Sequence, residues 1–269
     1  MAPRALAPGL SVVPVRSPTL PPATHTNAWL LGRESVVVID PAGVWSEPQE
    51  HLAEALRGLS VDAIFLTHHH PDHIGGAEDL QRRTGAPILA HAHTAAQVDF
   101  TVDQLLGEGD VVQTDAGDWS VLHTPGHARG HLCLLGPGGH LVAGDMVAGE
   151  GTIVLDPPEG NLGDYITSLE RLRALGTTAL LPAHGPELTD PSALLTHYIN
   201  HRHSRTRQVQ AALQQLSRPA EPLALVPIIY PDIPVFIHPI AARQVLCHLQ
   251  WLQEQGTVTH SPAGFTLST

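Results

Sequence analysis

An internal cluster of metal-binding side chains constrains this sequence more than any other feature. Residues 66–76 run LTHHHPDHIGG, with four histidines and one aspartate within positions 68–73. The apolar segment 63–67 before the cluster predicts a short buried strand. Alternate side chains of an extended chain share a face, so His68 and His70 are expected to point together. The pattern therefore predicts a metal-binding loop at a strand end, because an affinity tag would be terminal and made of one residue type.

Further ligands are needed if this cluster binds a pair of metal ions. Three later positions qualify, namely His127, Asp145 and His184, and each follows a segment that is predicted to be a strand. Loops after strands are where α/β folds gather their active sites. Cys133 and Cys247 lie in apolar contexts without ligand spacing and are predicted to be buried free thiols, so the site would use histidines and carboxylates.

The order of predicted elements indicates the fold class. Residues 35–90 alternate strand, helix, strand, helix and strand, which favours an α/β layer sandwich. Residues 219–269 contain a proline-rich stretch, a helix and a small hairpin, which is typical of a winged-helix-like appendage. We therefore expect a catalytic domain over 1–203 and a small C-terminal domain over 204–269.

Composition restricts the class of partner and the location. The formal net charge is −12, and all 14 basic residues are arginines. Residues 1–199 contain 9 arginines against 23 acidic residues, which disfavours a polyanion as the default partner. No apolar run reaches the ~18 residues of a membrane span, and the first 20 residues do not follow a signal-peptide pattern. These features predict a cytoplasmic protein that does not span a membrane.

Five sequence pieces, in order, resemble the metallo-β-lactamase superfamily. They are Asp40 after an early strand, THHHPDH at 67–73, TPGH at 124–127, Gly144-Asp145, and PAHG at 182–185. Residues 123–260 also resemble the β-lactamase-like protein two branch, which has a winged-helix-like C-terminal domain. The resemblance implies an αββα sandwich with a dinuclear metal site on one edge.

The resemblance also implies a role for each site residue. One metal would be bound by His68, His70 and His127, and the other by Asp72, His73 and His184. Asp145 would bridge the two metals, and Asp40 would support a ligand without binding metal. His131 would either support the site or contact substrate, or be purely structural. Two Zn²⁺ ions are the expected cofactor, and Mn²⁺ or Fe²⁺ would also fit.

Three functions follow from this resemblance. The first is a hydrolase of small-molecule esters, thioesters or lactones, in which a metal-bridged hydroxide attacks the carbonyl and the catalytic residue Asp72 orients it. The second is an endoribonuclease acting on single-stranded RNA, which the arginine-rich run at 201–207 would fit. That run is otherwise expected to form a solvated or salt-bridged helix face. The third is a non-hydrolytic redox or metal-storing protein. His91-x-His93 and His201-x-His203 imitate the motif's spacing but are predicted to be surface or packing residues.

Overall fold

Two β-sheets pack face to face because each has one fully apolar side. The computed structural model describes residues 3–268, and one buried cluster joins the inner faces of both sheets. Trp29 and Phe65 come from the larger sheet, while Leu132 and Leu181 come from the smaller one. Side chains that alternate along a strand place every second residue in this layer.

The larger sheet has seven strands in chain order, and the smaller sheet has five. The larger sheet consists of β1 (Arg4–Ala7), β2 (Leu10–Arg16), β3 (His25–Gly32), β4 (Ser35–Ile39), β5 (Ser60–Phe65), β6 (Ile88–Ala90) and β7 (Gln104–Leu105). It is antiparallel from β1 to β4 and parallel from β4 to β7. The smaller sheet has the order β12-β11-β10-β9-β8, formed by β8 (Val111–Val112), β9 (Trp119–His123), β10 (Leu132–Leu135), β11 (His140–Gly144) and β12 (Ala179–Pro182).

Helices cover the outer face of each sheet. The larger sheet is covered by α1 (Ser46–Ala55) and α3 (Ala77–Thr84), which bury Leu52 and Leu80. The smaller sheet is covered by α5 (Leu162–Ala174) and the first half of α6 (Pro191–Leu216). Two short helices, α2 (Pro71–Ile74) and α4 (Ala92–Ala95), lie in loops that follow strands. The predicted αββα sandwich is therefore confirmed.

A separate hydrophobic core forms the C-terminal unit. It consists of the second half of α6, α7 (Pro222–Ile229), α8 (His238–Glu254) and the hairpin β13 (Val258–Ser261) and β14 (Gly264–Leu267). Helices followed by a two-stranded wing confirm the winged-helix prediction. Helix α6 continues across positions 203 and 204, burying Ile199 in one core and Val209 in the other. The division at 203/204 thus falls inside a helix, and it remains a prediction.

The proline-rich segments contain more regular structure than their composition suggests. Strands β1 and β2 lie within the first 20 residues, where the sequence did not predict strands. Pro14 lies in β2 beyond the residues that β1 pairs, where an uncovered strand edge tolerates a missing N–H. Pro222 and Pro239 lie in the first turns of α7 and α8, where a helix loses nothing by lacking that donor.

A single helix over residues 74–84, which the sequence predicts, is instead two helices separated by Gly75 and Gly76. A Cβ on Gly75 would lie 2.3 Å from Val44 Cγ1, and one on Gly76 would lie 2.8 Å from the carbonyl oxygen of Pro41. The loop after β4 crosses at this point, and only glycine leaves it room. The break lets α2 begin at Pro71, so that Asp72 and His73 belong to a helix.

Two further predictions concern the thiols and the membrane. Cys133 and Cys247 are both free and buried, as predicted. Over residues 3–268, none of the helices combines the length and apolar character that crossing a bilayer requires. The cytoplasmic location remains a prediction.

Candidate metal centre

Seven ligand-type side chains from four chain segments meet at one edge of the sandwich. Each segment follows a strand, so the chain turns at the sheet edge where the side chains converge. The seven residues are His68, His70, Asp72, His73, His127, Asp145 and His184, and they form three overlapping groups of potential metal ligands. The structure therefore brings together all of the ligands inferred from the sequence.

The first group contains three imidazoles. His127 Nε2 lies 2.9 Å from His70 Nδ1 and 3.2 Å from His68 Nε2. His68 Nε2 in turn lies 2.9 Å from His70 Nδ1. Three ring nitrogens thus face one another within a space that suits a single ion.

The second group contains Asp72, His73 and His184. His184 Nε2 lies 3.4 Å from Asp72 Oδ2, and His73 Nε2 lies 3.9 Å from the same oxygen. Helix α2 positions Asp72 and His73, while His184 follows β12 in the other sheet. The site consequently spans both sheets.

Asp145 joins the two groups. Its Oδ2 lies 3.4 Å from His127 Nε2, and its Oδ1 lies 3.4 Å from His184 Nε2 and 3.6 Å from His73 Nε2. Each carboxylate oxygen therefore faces a different group of ligands, which is the arrangement of a bridging residue.

The cluster fits metal ions better than it fits hydrogen bonding among its own residues. His73 Nε2 and Asp145 Oδ1 are buried and have no hydrogen-bond partner among the described residues. An unpaired buried polar atom lowers the stability of the fold by about 1–3 kcal/mol, so buried polar atoms normally have a bonding partner. Histidine nitrogens and carboxylate oxygens are donors that Zn²⁺, Fe²⁺ and Mn²⁺ accept. The donor set thus suits two divalent cations.

Burial keeps the first group unprotonated. It lowers the pKa of His68 well below 6.5, and the neighbouring imidazoles of His73 and His70 lower it further. Burial and the adjacent His127 lower the pKa of His70 to about 3. The neutral rings keep lone pairs available for a metal.

Carboxylates dominate the electrostatics of the second group. Burial alone lowers the pKa of His73, but Asp40, Asp145 and Asp72 outweigh it and raise that pKa well above 6.5. Burial opposes ionisation of Asp72, yet His73 and His184 lower its pKa to about 2. Three carboxylates thus surround His73 and stabilise positive charge at this position, which favours a cation there.

Hydrogen bonds outside the cluster fix the ligand rings. Asp40 Oδ2 lies 2.8 Å from His73 Nδ1, which places Asp40 in the supporting position inferred from the sequence. His127 Nδ1 donates to the carbonyl of Val154 at 2.9 Å, and His184 Nδ1 donates to the carbonyl of His25 at 3.0 Å. These partners leave Nε2 of each ring facing the cluster. Backbone carbonyls carry no signal in the sequence, so these two supports could not be found from it.

His131 has a defined place behind the cluster. Its Nε2 accepts a hydrogen bond from the backbone N–H of Asp145 at 3.1 Å, and its Nδ1 lies 2.9 Å from the hydroxyl of Thr124. The ring is fully buried and contacts the Asp145 loop from behind the cluster, and its role remains a prediction. The His91 and His93 rings lie outside the cluster, where His91 stacks on His123 at a centroid distance of 4.4 Å.

The C-terminal unit reaches the metal centre through one loop. The Gln244 amide on α8 donates to the carbonyl of Leu155 at 2.7 Å and accepts from its N–H at 3.2 Å. The preceding residue, Val154, is the one whose carbonyl accepts from His127. The winged-helix unit thus helps to position a ligand, a link that the sequence did not reveal.

Comparison with known families agrees with this geometry. Residues 21–184 match the metallo-beta-lactamase superfamily, and residues 222–264 match the beta-lactamase associated winged helix domain. Both halves of the chain therefore have recognised counterparts.

Individual proteins align over much of the chain. It is 30% identical over 250 residues to a beta-lactamase-like protein 2 homolog of Drosophila melanogaster, covering 86% of this chain and 83% of that protein. It is 34% identical over 197 residues to an atrochrysone carboxyl ACP thioesterase of Aspergillus chevalieri, covering 71% of this chain and 61% of that protein. A metallo-beta-lactamase family protein of Thermus thermophilus superposes with a TM-score of 0.80 at 26% identity, covering 98% of this chain and 100% of that one.

Proposed function

The chain belongs to the metallo-beta-lactamase superfamily and is a hydrolase of that fold, and from this premise we propose that it cleaves small-molecule esters, thioesters or lactones with two divalent metal ions. The position of Asp145 carries this proposal. One carboxylate oxygen faces His127 of the first group, and the other faces His73 and His184 of the second. A bridging carboxylate between two complete ligand groups is what a pair of ions requires.

We assign the ligands as two groups of three around that carboxylate. His68, His70 and His127 would bind one ion, while Asp72, His73 and His184 would bind the other. Zinc is the proposed metal because it prefers histidine and carboxylate ligands and leaves a position open for substrate. Manganese and iron fit the same donors and are distinguished by metal analysis.

Bound ions would supply an acidified water and polarise the substrate carbonyl. The protein residues do the rest. Asp72 is a carboxylate at neutral pH, because His73 and His184 lower its pKa to about 2. Its side chain retains some solvent exposure, whereas that of His73 has none. Asp72 can therefore both bind metal and accept a hydrogen bond from water that enters the site, orienting that water towards the carbonyl.

The surroundings of the site favour a small acyl substrate. Leu20, Val44 and Trp45 are 55%, 38% and 44% exposed, and they lie in the segments that border the cluster. Thr19, beside Leu20, reaches His184 Nε2 at 3.4 Å, and Val44 lies against Gly75 just after α2. Exposed apolar side chains around a polar centre suit an acyl or aryl group. The relative from Aspergillus chevalieri, named as an ACP thioesterase, is consistent with this substrate class.

Cleavage of single-stranded RNA is the weaker candidate. The arginine-rich run that would neutralise phosphates is divided by the helix, because Arg202 is buried while Arg207 is exposed. Aromatic residues for base stacking amount to 4% of the chain. The run therefore does not form the continuous basic surface that such a substrate needs.

A panel of substrates tests the proposal directly. Zinc-loaded protein is assayed with a thioester, an aryl ester, a lactone and a fluorogenic single-stranded RNA, beside the variant His68→Ala/His70→Ala. The matched control is His91→Ala/His93→Ala, which removes a histidine pair of the same spacing outside the cluster. We expect acyl hydrolysis that disappears, together with bound metal, only in the first variant. Full activity and metal content in His68→Ala/His70→Ala would refute the assignment. RNA cleavage without acyl hydrolysis would instead support the ribonuclease function.

A further inference from the structure

A cavity lies between the catalytic sandwich and the C-terminal unit. It has a volume of about 290 Å³, close to the lower end of the ~300–1,000 Å³ that is typical of ligand pockets. Its walls are the segment 152–154, one face of α6, and residues 230–244. None of the seven candidate metal ligands lines it.

Most of the cavity lining is apolar, but two arginines also line it. Ile153, Ile233 and Ile240 supply apolar surface, while Arg202 and Arg205 project from α6. No aspartate or glutamate is among the described residues that form the walls. A pocket with two cations and no anion is unusual in a chain with a net charge of −12.

Arg202 is a buried cation that has no counter-ion among the described residues. The residue is 6% exposed, and its Nε has no hydrogen-bond partner within the part of the chain that the structure describes. One of its nitrogens donates to the carbonyl of Ile153 at 2.6 Å, and its guanidinium lies 5.1 Å from the ring centroid of Tyr165. Neither contact neutralises the charge, and an unpaired buried charge is costly.

Arg205 adds a second uncompensated charge one helical turn away. Its guanidinium lies 4.2 Å from the ring centroid of Tyr230 and donates to Gln208 Oε1 at 2.7 Å. Within residues 3–268, other arginines form ion pairs, but neither Arg202 nor Arg205 does. Burial together with these two arginines also lowers the pKa of His201. The pocket is therefore positive and lacks a protein anion.

We infer that this cavity binds an amphiphilic organic anion, with its carboxylate or phosphate on Arg202 and Arg205 and its apolar body against the isoleucines. Guanidinium groups bind both headgroups through charge-assisted hydrogen bonds. The isoleucine walls favour an alkyl or aryl body over a sugar-phosphate backbone. Val154 connects this site to the metal centre, because it lines the cavity while its carbonyl accepts from His127.

Isothermal titration of the metal-loaded, full-length protein tests the inference without depending on hydrolytic activity. The probes are octanoate, octyl phosphate and octanamide, which share an alkyl body and differ in headgroup. We expect both anions to bind at least about tenfold more tightly than octanamide, as charged hydrogen bonds of ~1.5–3 kcal/mol imply. The tighter of the two anions identifies the preferred headgroup.

Two variants locate the binding, and a third serves as control. Arg205→Gln removes a half-buried charge, and Ile240→Glu adds a negative charge at an exposed wall position. Both should weaken octanoate binding about tenfold or more, while Arg207→Gln, at an exposed position that does not line the cavity, should leave it unchanged.

Three results would overturn the inference. They are no binding of either anion, equal affinity in Arg205→Gln and wild type, and binding of a short single-stranded RNA but not of octanoate. Equal affinity would place the anion elsewhere, including on the metals. Because titration needs no turnover, a failed hydrolase assignment would leave this result interpretable.

Discussion

Asp40 and His73 form a buried pair in which the carboxylate Oδ2 lies 2.8 Å from the ring Nδ1. The same carboxylate also accepts hydrogen bonds from the backbone N–H and the hydroxyl of Thr67, at 2.8 and 2.7 Å. The pair fixes the His73 ring so that Nε2 faces Asp145. A residue that would not touch metal therefore controls how one ligand is presented.

Replacing Asp40 should weaken the metal site without removing a ligand. Asp40→Asn retains the shape but loses the charge that holds His73, so we expect a roughly 10–100-fold loss of metal affinity or of kcat/KM. Metal titration monitored by mass spectrometry measures this, with Asp62→Asn as the exposed control. Unchanged metal affinity in Asp40→Asn would contradict the supporting role.

His131 should act through the Asp145 loop. His131→Leu leaves the buried N–H of Asp145 without its acceptor, which should lower the free energy of unfolding by about 1–3 kcal/mol. A packing role alone would change stability only. We therefore expect a fall in kcat and metal content as well, partly restored by His131→Gln, which keeps an acceptor. Stability loss with normal kcat and metal content would identify a packing residue.

Gly126 should tolerate no side chain. Its φ is +137°, and a Cβ there would lie 2.3 Å from Tyr165 Cα at the start of α5. Gly126→Ala must therefore displace either the helix or His127, and we expect a lower melting temperature together with reduced metal binding. Gly107→Ala is the matched control, because nothing lies within 4 Å of its Cβ position. Equal melting temperatures in the two variants would show that the backbone relaxes freely.

Gln244 should influence catalysis from the C-terminal unit. Gln244→Ala removes two hydrogen bonds to Leu155, each contributing about 0.5–1.5 kcal/mol, and so loosens the loop that orients His127. We expect kcat to fall while bound metal is largely retained. Gln250→Ala, exposed on the same helix, is the control for helix substitution. Identical kcat values in both variants would separate the winged-helix unit from the site.

Acid should destabilise the protein partly through His248. Burial, followed by Arg202 and Arg205, lowers the pKa of this ring to about 3 in the folded protein. In the unfolded chain, His248 instead protonates near pH 6.5. The contribution of this ring to the free energy of unfolding is therefore complete above pH 6.5 and is lost as the pH falls towards 3. The slope is about 1.4 kcal/mol per pH unit, or about 2 kcal/mol between pH 6.5 and 5. Urea titrations at both pH values should show a smaller loss in His248→Gln than in wild type.

The metal cluster could be predicted because its chemistry is local in sequence. Four of the seven ligands lie within positions 68–73, and the other three follow apolar strands that mark their own ends. The proline-rich composition around β1, β2 and α7 suggested loops, so these elements were not predicted. They form nevertheless, because the first turn of a helix and an unpaired strand edge both tolerate proline. The break in the helix predicted over 74–84 was not foreseen, because it depends on the loop at 41–44, which crosses at Gly75 and Gly76.

The arginine run shows where sequence periodicity was insufficient. Positions 201–207 suggested a solvated or salt-bridged face, yet Arg202 is buried and has no ion-pair partner among residues 3–268, while Arg205 stacks on Tyr230. Their environment is created by residues 230–244 and by the loop at 152–154, which are distant from these arginines in the sequence. No local pattern encodes that meeting of segments.

Helix α6 gives the molecule a mechanical property that neither core has alone. Its 26 residues span about 39 Å and are anchored at one end beneath the smaller sheet and at the other in the winged unit. Because the helix is continuous between the two units, it leaves no loop at this connection to act as a hinge. A chain break at 203/204 would cut this helix and separate residues that it buries in one core from those that it buries in the other.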